Sequence, residues 1–322
     1  MSLFIETSYD SLNKFDEELC GDKVEIIRND NSVTVVLADG LGSGVKANIL
    51  STLTSKIIGT MLTNGASIDE AVETVINTLP VCRDRGIAYS TFTILQISSN
   101  GKGYLVEFDN PSIFYFKKGK YCKIEKQSRE IGGKKIKEST FTVAPDDVFV
   151  MVTDGAVHAG IGSTLNLGWQ WKNIKEYLER IIKPDISSKS ISKLLVAVCD
   201  NLYAQMPGDD TTVVAVKVRK PSKVSVMVGP PANLEQDSYV VNRFISQEGK
   251  KVVCGGTTSQ IVSRELGKEL IASLNYFSPD IPPSAEIEGI DLTTEGVLTI
   301  SKTLGLIKKY VSFDSTLQDV SI

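Results

Sequence analysis

The sequence predicts an α+β fold in which two antiparallel sheets are sandwiched between helices (α-β-β-α), followed by a small C-terminal α/β module. Three observations predict it. Over the first two-thirds, strand-like runs come in series and helical patterns in pairs, without strict βαβ alternation. Several strand-like runs are apolar throughout and bounded by turn residues, as in strands buried on both faces. After Lys220-Pro221 the texture changes to a βαβα order. Domains are therefore expected at 1–220 and 221–322, a division that a chain of 322 residues can accommodate.

Asp22 opens a short strand, Val24 to Ile27, and Val33 to Ala38 is a continuous β-branched run that ends at Asp39-Gly40. A glycine-rich turn follows. Val45, Ile49, Leu53, Ile57 and Met61 recur every four residues, widened by Leu50, Ile58 and Leu62, which predicts a buried amphipathic helix ended by Asn64-Gly65. Ser67 caps a second helix through Leu79. Strands are expected at Ser90 to Ile97, Gly103 to Phe108, Ser112 to Phe116 and Tyr121 to Glu125, forming a meander whose last turn is Lys117 to Lys120. Val148 to Thr153 is a further buried strand, ending in Asp154-Gly155. Helices are expected at Trp171 to Ile182 and Ser188 to Gln205, and a strand from Thr211 to Val218 starts directly after Asp209-Asp210. In the module, Val224 to Val228 and Lys251 to Cys254 read as strands, Ser238 to Gln247 as a helix, and Gly255-Gly256-Thr257-Thr258 as the lead into a helix reaching Leu270.

An apolar fraction of 42% and a charged fraction of 23% are those of an ordinary globular protein, which excludes disordered and fibrous classes. The net charge of −4 and a lysine and arginine content that reads as dispersed argue against nucleic acid as a partner. Five widely spaced cysteines without a C-x-x-C pair suggest neither a disulfide framework nor a zinc site, but reduced core thiols. No leader pattern and no apolar run of membrane-spanning length is apparent, so the expected location is the cytoplasm.

Chemistry is carried by acidic residues at matching places: Asp39-Gly40, Asp154-Gly155 and Asp209-Asp210 each flank an apolar strand. Taken singly, each is an ordinary turn. Taken jointly, carboxylates that meet at one edge of a sandwich repel one another unless cations lie between them. Oxygen ligands select Mg²⁺ or Mn²⁺ over zinc. Two such ions, roughly 3.5–4 Å apart, can bridge a hydroxide and steady a phosphoryl displacement without a protein nucleophile. The chain offers no convincing nucleophile, since neither a G-x-S-x-G elbow nor a C-x5-R loop occurs.

Val36-Leu37-Ala38-Asp39-Gly40-Leu41-Gly42-Ser43-Gly44, Asp109-Asn110-Pro111, Val152-Thr153-Asp154-Gly155 and Gly208-Asp209-Asp210-Thr211-Thr212-Val213-Val214 resemble, in order, the motifs of metal-dependent phosphatases of the stage II sporulation protein E type. The resemblance covers about residues 15 to 219. It implies a manganese- or magnesium-dependent phosphoserine/phosphothreonine hydrolase of the type 2C superfamily, using two ions and acting in bacterial signalling on phosphorylated regulators such as anti-sigma-factor antagonists. In that pattern Asp39 bridges both metals with support from the Gly40 carbonyl, Asp154 and Asp209 complete the second, and Asp22 binds directly or through water. Asp210 would serve structure. Leu41 stands where animal enzymes carry a histidine, so leaving-group protonation would fall to water or another group.

The remaining signals are weaker. His158, the sole histidine, reads as a cap or surface residue. Gly42-Ser43-Gly44 fits a phosphate-holding helix start and a plain tight turn equally well. Arg83 and Arg85 could meet a phosphate or stay solvated. Gly255 to Ser259 looks more like an ordinary strand-to-helix turn than an anion site. Two other functions stay open: a catalytically silent binding module, and a small-molecule phosphohydrolase. A regulatory role for the C-terminal module rests on its position alone.

Overall fold

Side-chain alternation along doubly covered strands builds the N-terminal part of the chain. The structure, a computed structural model, describes residues 3–78, 90–131, 133–272 and 284–311. The chain divides into two units, Met1–Pro221 and Ser222–Ile322.

In the first unit one sheet holds β1 (Phe4–Leu12), β11 (Thr211–Arg219), β10 (Val148–Val152), β6 (Phe114–Lys117) and β7 (Lys120–Tyr121), in that order. The other holds β2 (Asp22–Asn29), β3 (Ser32–Gly40), β4 (Ser90–Ser98), β5 (Lys102–Phe108), β9 (Lys134–Thr142) and β8 (Gln127–Ile131). All their pairings are antiparallel. Val35 and Leu37 of β3 share a core between the sheets with Phe149 and Met151 of β10. Their alternating neighbours Val36 and Ala38 pack under helices α1 (Gly44–Thr63) and α2 (Ile68–Thr78). Val148, Val150 and Val152 pack under α4 (Trp171–Ile181) and α5 (Ser188–Leu202), after the single turn α3 (Asp154–Val157). Both faces of these strands are buried, so successive side chains feed two different cores and the run reads as continuously apolar. This is the α-β-β-α sandwich.

Ser67 starts α2 with a capping box: its Oγ accepts from Glu70 N–H at 3.2 Å, and Glu70 Oε2 accepts from Ser67 N–H at 2.8 Å. The expected end of that helix at Leu79, together with Arg83 and Arg85, lies outside the described residues.

Several expectations need correction. The strands read as one meander divide between the sheets: β5 continues to β9, while β6 and β7 join the opposite sheet. Asp109, at φ 51°, and the N–H-less Pro111 turn the chain out between them. Tyr121 to Glu125 is not a full strand, since β7 ends at Tyr121. The polar strands β8 and β9, and the edge strand β1, carry little apolar signal. In α1, Val45, Ile49 and Leu53 are 62%, 58% and 45% exposed, and the buried face is Ala47, Leu50, Ser51, Thr54, Ser55, Ile58, Gly59 and Leu62. The helix lies so close to the sheet that a Cβ at Gly40 would strike the Ala47 carbonyl and one at Gly59 would press on Glu25. Small residues therefore win the inner face over larger apolar ones.

In the second unit β12 (Val224–Val228), β13 (Lys250–Cys254) and β16 (Leu292–Thr294) run parallel, and β15 (Ala285–Ile287) and β14 (Leu270–Ala272) extend the sheet antiparallel. Helices α6 (Asp237–Ile245) and α7 (Gly256–Leu266) bury Val241, Phe244, Ile261 and Val262 against Met227 and Val253, and α8 (Val297–Val311) follows β16. The helix expected to reach Leu270 ends at left-handed Gly267, φ 63°, and Leu270 opens β14 instead. At the start of α7 the Gly255 N–H is already given to the Thr294 carbonyl, and the Glu295 carboxylate lies beside Gly256, an arrangement unfavourable to an anion. No helix among the described residues is long and apolar enough to cross a membrane. Cys20, Cys122, Cys199 and Cys254 are free thiols, of which Cys199 and Cys254 are buried.

Candidate metal centre

Strand register sets the first carboxylates. Asp22 at the head of β2 stands opposite Asp39 near the end of β3, and Asp39 stands opposite Thr91 of β4. From the other sheet, β10 ends at Val152 opposite Val213 of β11, which brings Asp154, opening α3, beside Asp209 in the loop before β11. Asp39, Asp154 and Asp209 thus come from both halves of the sandwich to line one cleft of about 690 Å³, with Lys14, Leu41, Gly42 and Asp109 also on its wall.

Hydrogen bonds lock the two halves together behind the cleft. Thr153 Oγ1 donates to Asp22 Oδ2 at 2.8 Å and accepts from the Thr212 N–H at 2.9 Å, so one buried hydroxyl joins β2 to the β10–β11 pair. Asp210 Oδ1 accepts from the Lys14 N–H at 3.0 Å, and Asp209 Oδ1 accepts from the Asp210 N–H at 3.0 Å. A Cβ at Gly155 would strike the Asp210 carbonyl, so only glycine lets the Asp154 turn approach this loop. The buried Tyr203 hydroxyl pins the same turn by donating to the Gly155 carbonyl at 2.8 Å.

Electrostatics make the arrangement strained toward cations. Burial raises Asp39 well above the usual carboxylate range, and the charges of Asp22, Asp154 and Asp209 add to the rise. Burial lifts Asp22 to about 7, against the hydrogen bonds from Thr212 and Thr153, with Asp210 and Asp154 pushing it further. Burial, then the Asp154 charge, lifts Asp209 to about 6. A cleft that costs its acids this much as anions is complementary to positive charge. The donors are all hard oxygens, which fit Mg²⁺ or Mn²⁺. Among the described residues no group of three or more His, Cys, Asp and Glu side chains stands positioned to hold a metal ion, so an ion here would have to draw the carboxylates closer or share them with water.

Of the residues singled out in the sequence, Asp39, Asp154 and Asp209 are brought together. Asp22, 5% exposed, lies behind Asp39 and is absent from the cleft wall, as is Gly40, whose N–H is given to the Gly21 carbonyl. His158 ends α3 as an exposed residue and does not line the cleft. Among the described residues, two charged wall residues were not among the predicted site residues. Asp109 follows β5 in a left-handed conformation, and its position after an apolar strand was the available signal. Lys14 lies in a segment without periodicity, and nothing in the sequence marks it.

Residues 29–219 match the family described as stage II sporulation protein E (SpoIIE). The chain belongs to that family. Its fold is similar to the PP2C phosphatase domain, with a fragment of the regulatory domain, of SpoIIE from Bacillus subtilis: TM-score 0.58 at 18% identity, covering 69% of this chain and 64% of that one. The chain therefore spans less than two-thirds of that structure's length. It is also similar to the RsbU and RsbW domains of a Mycobacterium tuberculosis protein, with TM-score 0.54, 16% identity, and 76% and 67% of the two chains covered. A third likeness is to the SiaA-PP2C domain of Pseudomonas aeruginosa, with TM-score 0.51, 15% identity, and 65% and 85% covered. At these identities the likenesses establish the fold, which is that of PP2C phosphatase domains. No curated protein matches the chain in sequence.

Proposed function

We propose that this SpoIIE-family chain is a metal-dependent phosphatase that hydrolyses phosphoserine or phosphothreonine on a regulatory protein. The observation that carries the reading is the convergence of Asp39, Asp154 and Asp209, from both sheets, on one cleft, where burial and neighbouring charge raise the pKa values of Asp39 and Asp209. Two bound Mn²⁺ or Mg²⁺ ions would supply a hydroxide at neutral pH and neutralise charge on the phosphoryl oxygens. Asp39 would bridge the ions, with Asp154 and Asp209 holding the second and the Gly40 carbonyl and Asp22 supporting from behind. Thr153 fixes the carboxyl of Asp22. Among the described residues Lys14 is the only basic side chain on the wall, and it is suited to a phosphate oxygen. Leu41 lines the cleft where animal type 2C enzymes carry a histidine, so protonation of the departing oxygen would fall to water or another group.

The test is hydrolysis of p-nitrophenyl phosphate and of a phosphothreonine peptide with Mn²⁺, Mg²⁺ or EDTA, beside Asp39→Ala and Asp154→Ala. Metal-dependent turnover, faster on the peptide and reduced at least a hundredfold by either substitution, is expected. Turnover that persists in EDTA would overturn the reading. Residues 221–322 would regulate this activity, a reading supported by position alone, and deletion that leaves rate and effector response unchanged would refute it.

A further inference from the structure

The basic side chains are not dispersed. Residues 117–137 hold nine lysines and arginines against Glu125 and Glu130, a net of +7 in a chain whose formal charge is −4. This corrects the expectation of evenly spread positive charge. The fold gathers the strip further, because β7 is the outer strand of one sheet, β8 is the outer strand of the other, and residues 122–126 cross between them.

Lysines on exposed edge strands guard a sheet against pairing with another chain, and that alone accounts for a plain basic edge. Here the segment also encloses a cleft of about 470 Å³ whose lining includes Ile113, Tyr121, Lys123, Lys137 and Trp171. Its aromatic wall is fixed. Trp171 Nε1 donates to the Ser112 carbonyl at 2.7 Å, and its ring stacks on Phe114 at 4.6 Å and meets Tyr121 edge-on at 5.6 Å. Lys175 Nζ lies 5.5 Å from the Tyr121 ring centre.

The charges facing this cleft are unequal. Lys126 is neutralised by the buried Glu107 at 2.6 Å, whereas the Lys123–Glu125 pair at 3.0 Å is exposed on both sides and holds its partners weakly. Lys137 is exposed and makes no ion pair among the described residues. A rigid aromatic wall with available ammonium groups suits carboxylates on a peptide.

The two clefts share one loop. Asp109 lines the metal cleft and Ser112 and Ile113 line the basic one. Four residue steps span at most roughly 14 Å, a distance that an extended peptide covers with about as many residues of its own. We propose that the basic, aromatic-walled cleft binds an acidic segment of the phosphoprotein substrate, about four residues from the phosphorylated side chain. The word substrate rests on the phosphatase reading above; binding of the acidic segment does not.

The experiment therefore begins in EDTA, with the full chain and a labelled, unphosphorylated Glu-rich decapeptide, followed by anisotropy and by tryptophan emission. A Lys-rich peptide and a single-stranded oligonucleotide serve as comparisons. Saturable binding of the acidic peptide is expected, weakened by salt and at least tenfold by Lys123→Glu/Lys137→Glu. Trp171→Phe should abolish the change in tryptophan emission. With Mn²⁺ the double variant should raise KM for an acidic phosphopeptide at least fivefold while leaving kcat and p-nitrophenyl phosphate turnover unchanged. Equal binding by wild type and a double variant of unchanged melting temperature would overturn the proposal, as would preference for the oligonucleotide. Lost peptide binding with an unchanged KM would overturn the substrate assignment. Absence of all turnover beside intact, lysine-dependent peptide binding would count against the phosphatase reading and leave the acidic-peptide site standing.

Discussion

At the scale of single residues the carboxyl groups decide how the molecule responds to pH. In an unfolded chain aspartates titrate near about 3.9, whereas in the fold Asp209 is lifted to about 6 and Asp22 to about 7, chiefly by burial. The folded state then binds more protons than the unfolded state across that window. This contribution to stability is fully present below about pH 4 and is lost as pH rises through 6 to 7. Metal-free wild type should therefore lose melting temperature between pH 5 and 7.5 relative to Asp209→Asn, and Mn²⁺ should restore more at pH 7.5 than at pH 5. Parallel profiles for the two proteins in EDTA would contradict the assignment. Asp39, Asp154 and Asp209 were legible in sequence because each borders an apolar strand. Lys14 was not: its place depends on a backbone bond to Asp210, nearly two hundred positions away.

Among the elements, α1 shows where periodicity misleads. A four-residue apolar spacing selects Val45, Ile49 and Leu53, yet the close approach of α1 to β3 gives the inner face to Ala47, Ser51, Ser55 and Gly59, with Leu50, Ile58 and Leu62 filling the gaps. Packing density outranks hydrophobic spacing wherever backbones come this near. Urea unfolding should separate the two faces. Ile58→Ala should cost about 2–5 kcal/mol, as a cavity in a closed core does, whereas Val45→Ala should stay within about 0.5 kcal/mol. Comparable losses at both positions would mean that α1 is turned differently. The strands were legible in proportion to their burial: β3, β10 and β11 face two cores and read as apolar runs, whereas β8, with its sequence Gln-Ser-Arg-Glu-Ile, has only an outer edge to occupy.

For the whole molecule, the sandwich and its site are one construction. The outer helices cover both sheets, each inner strand serves two cores, and the carboxylates at the strand ends come together only when both sheets are in place. The order of strands and helices along the chain was enough to predict the layers. It could not show which sheet each strand joins, because that depends on turns such as Asp109 to Pro111. The proposed function requires that the two sheets jointly build a centre for two divalent cations. Calorimetric titration of Mn²⁺ into metal-free protein tests it most directly, with Asp39→Ala and Asp154→Ala alongside. Two ions per chain are expected in the wild type, with the Asp39 variant losing both and the Asp154 variant losing one. No heat in the wild type, or binding unaltered by either substitution, would contradict it.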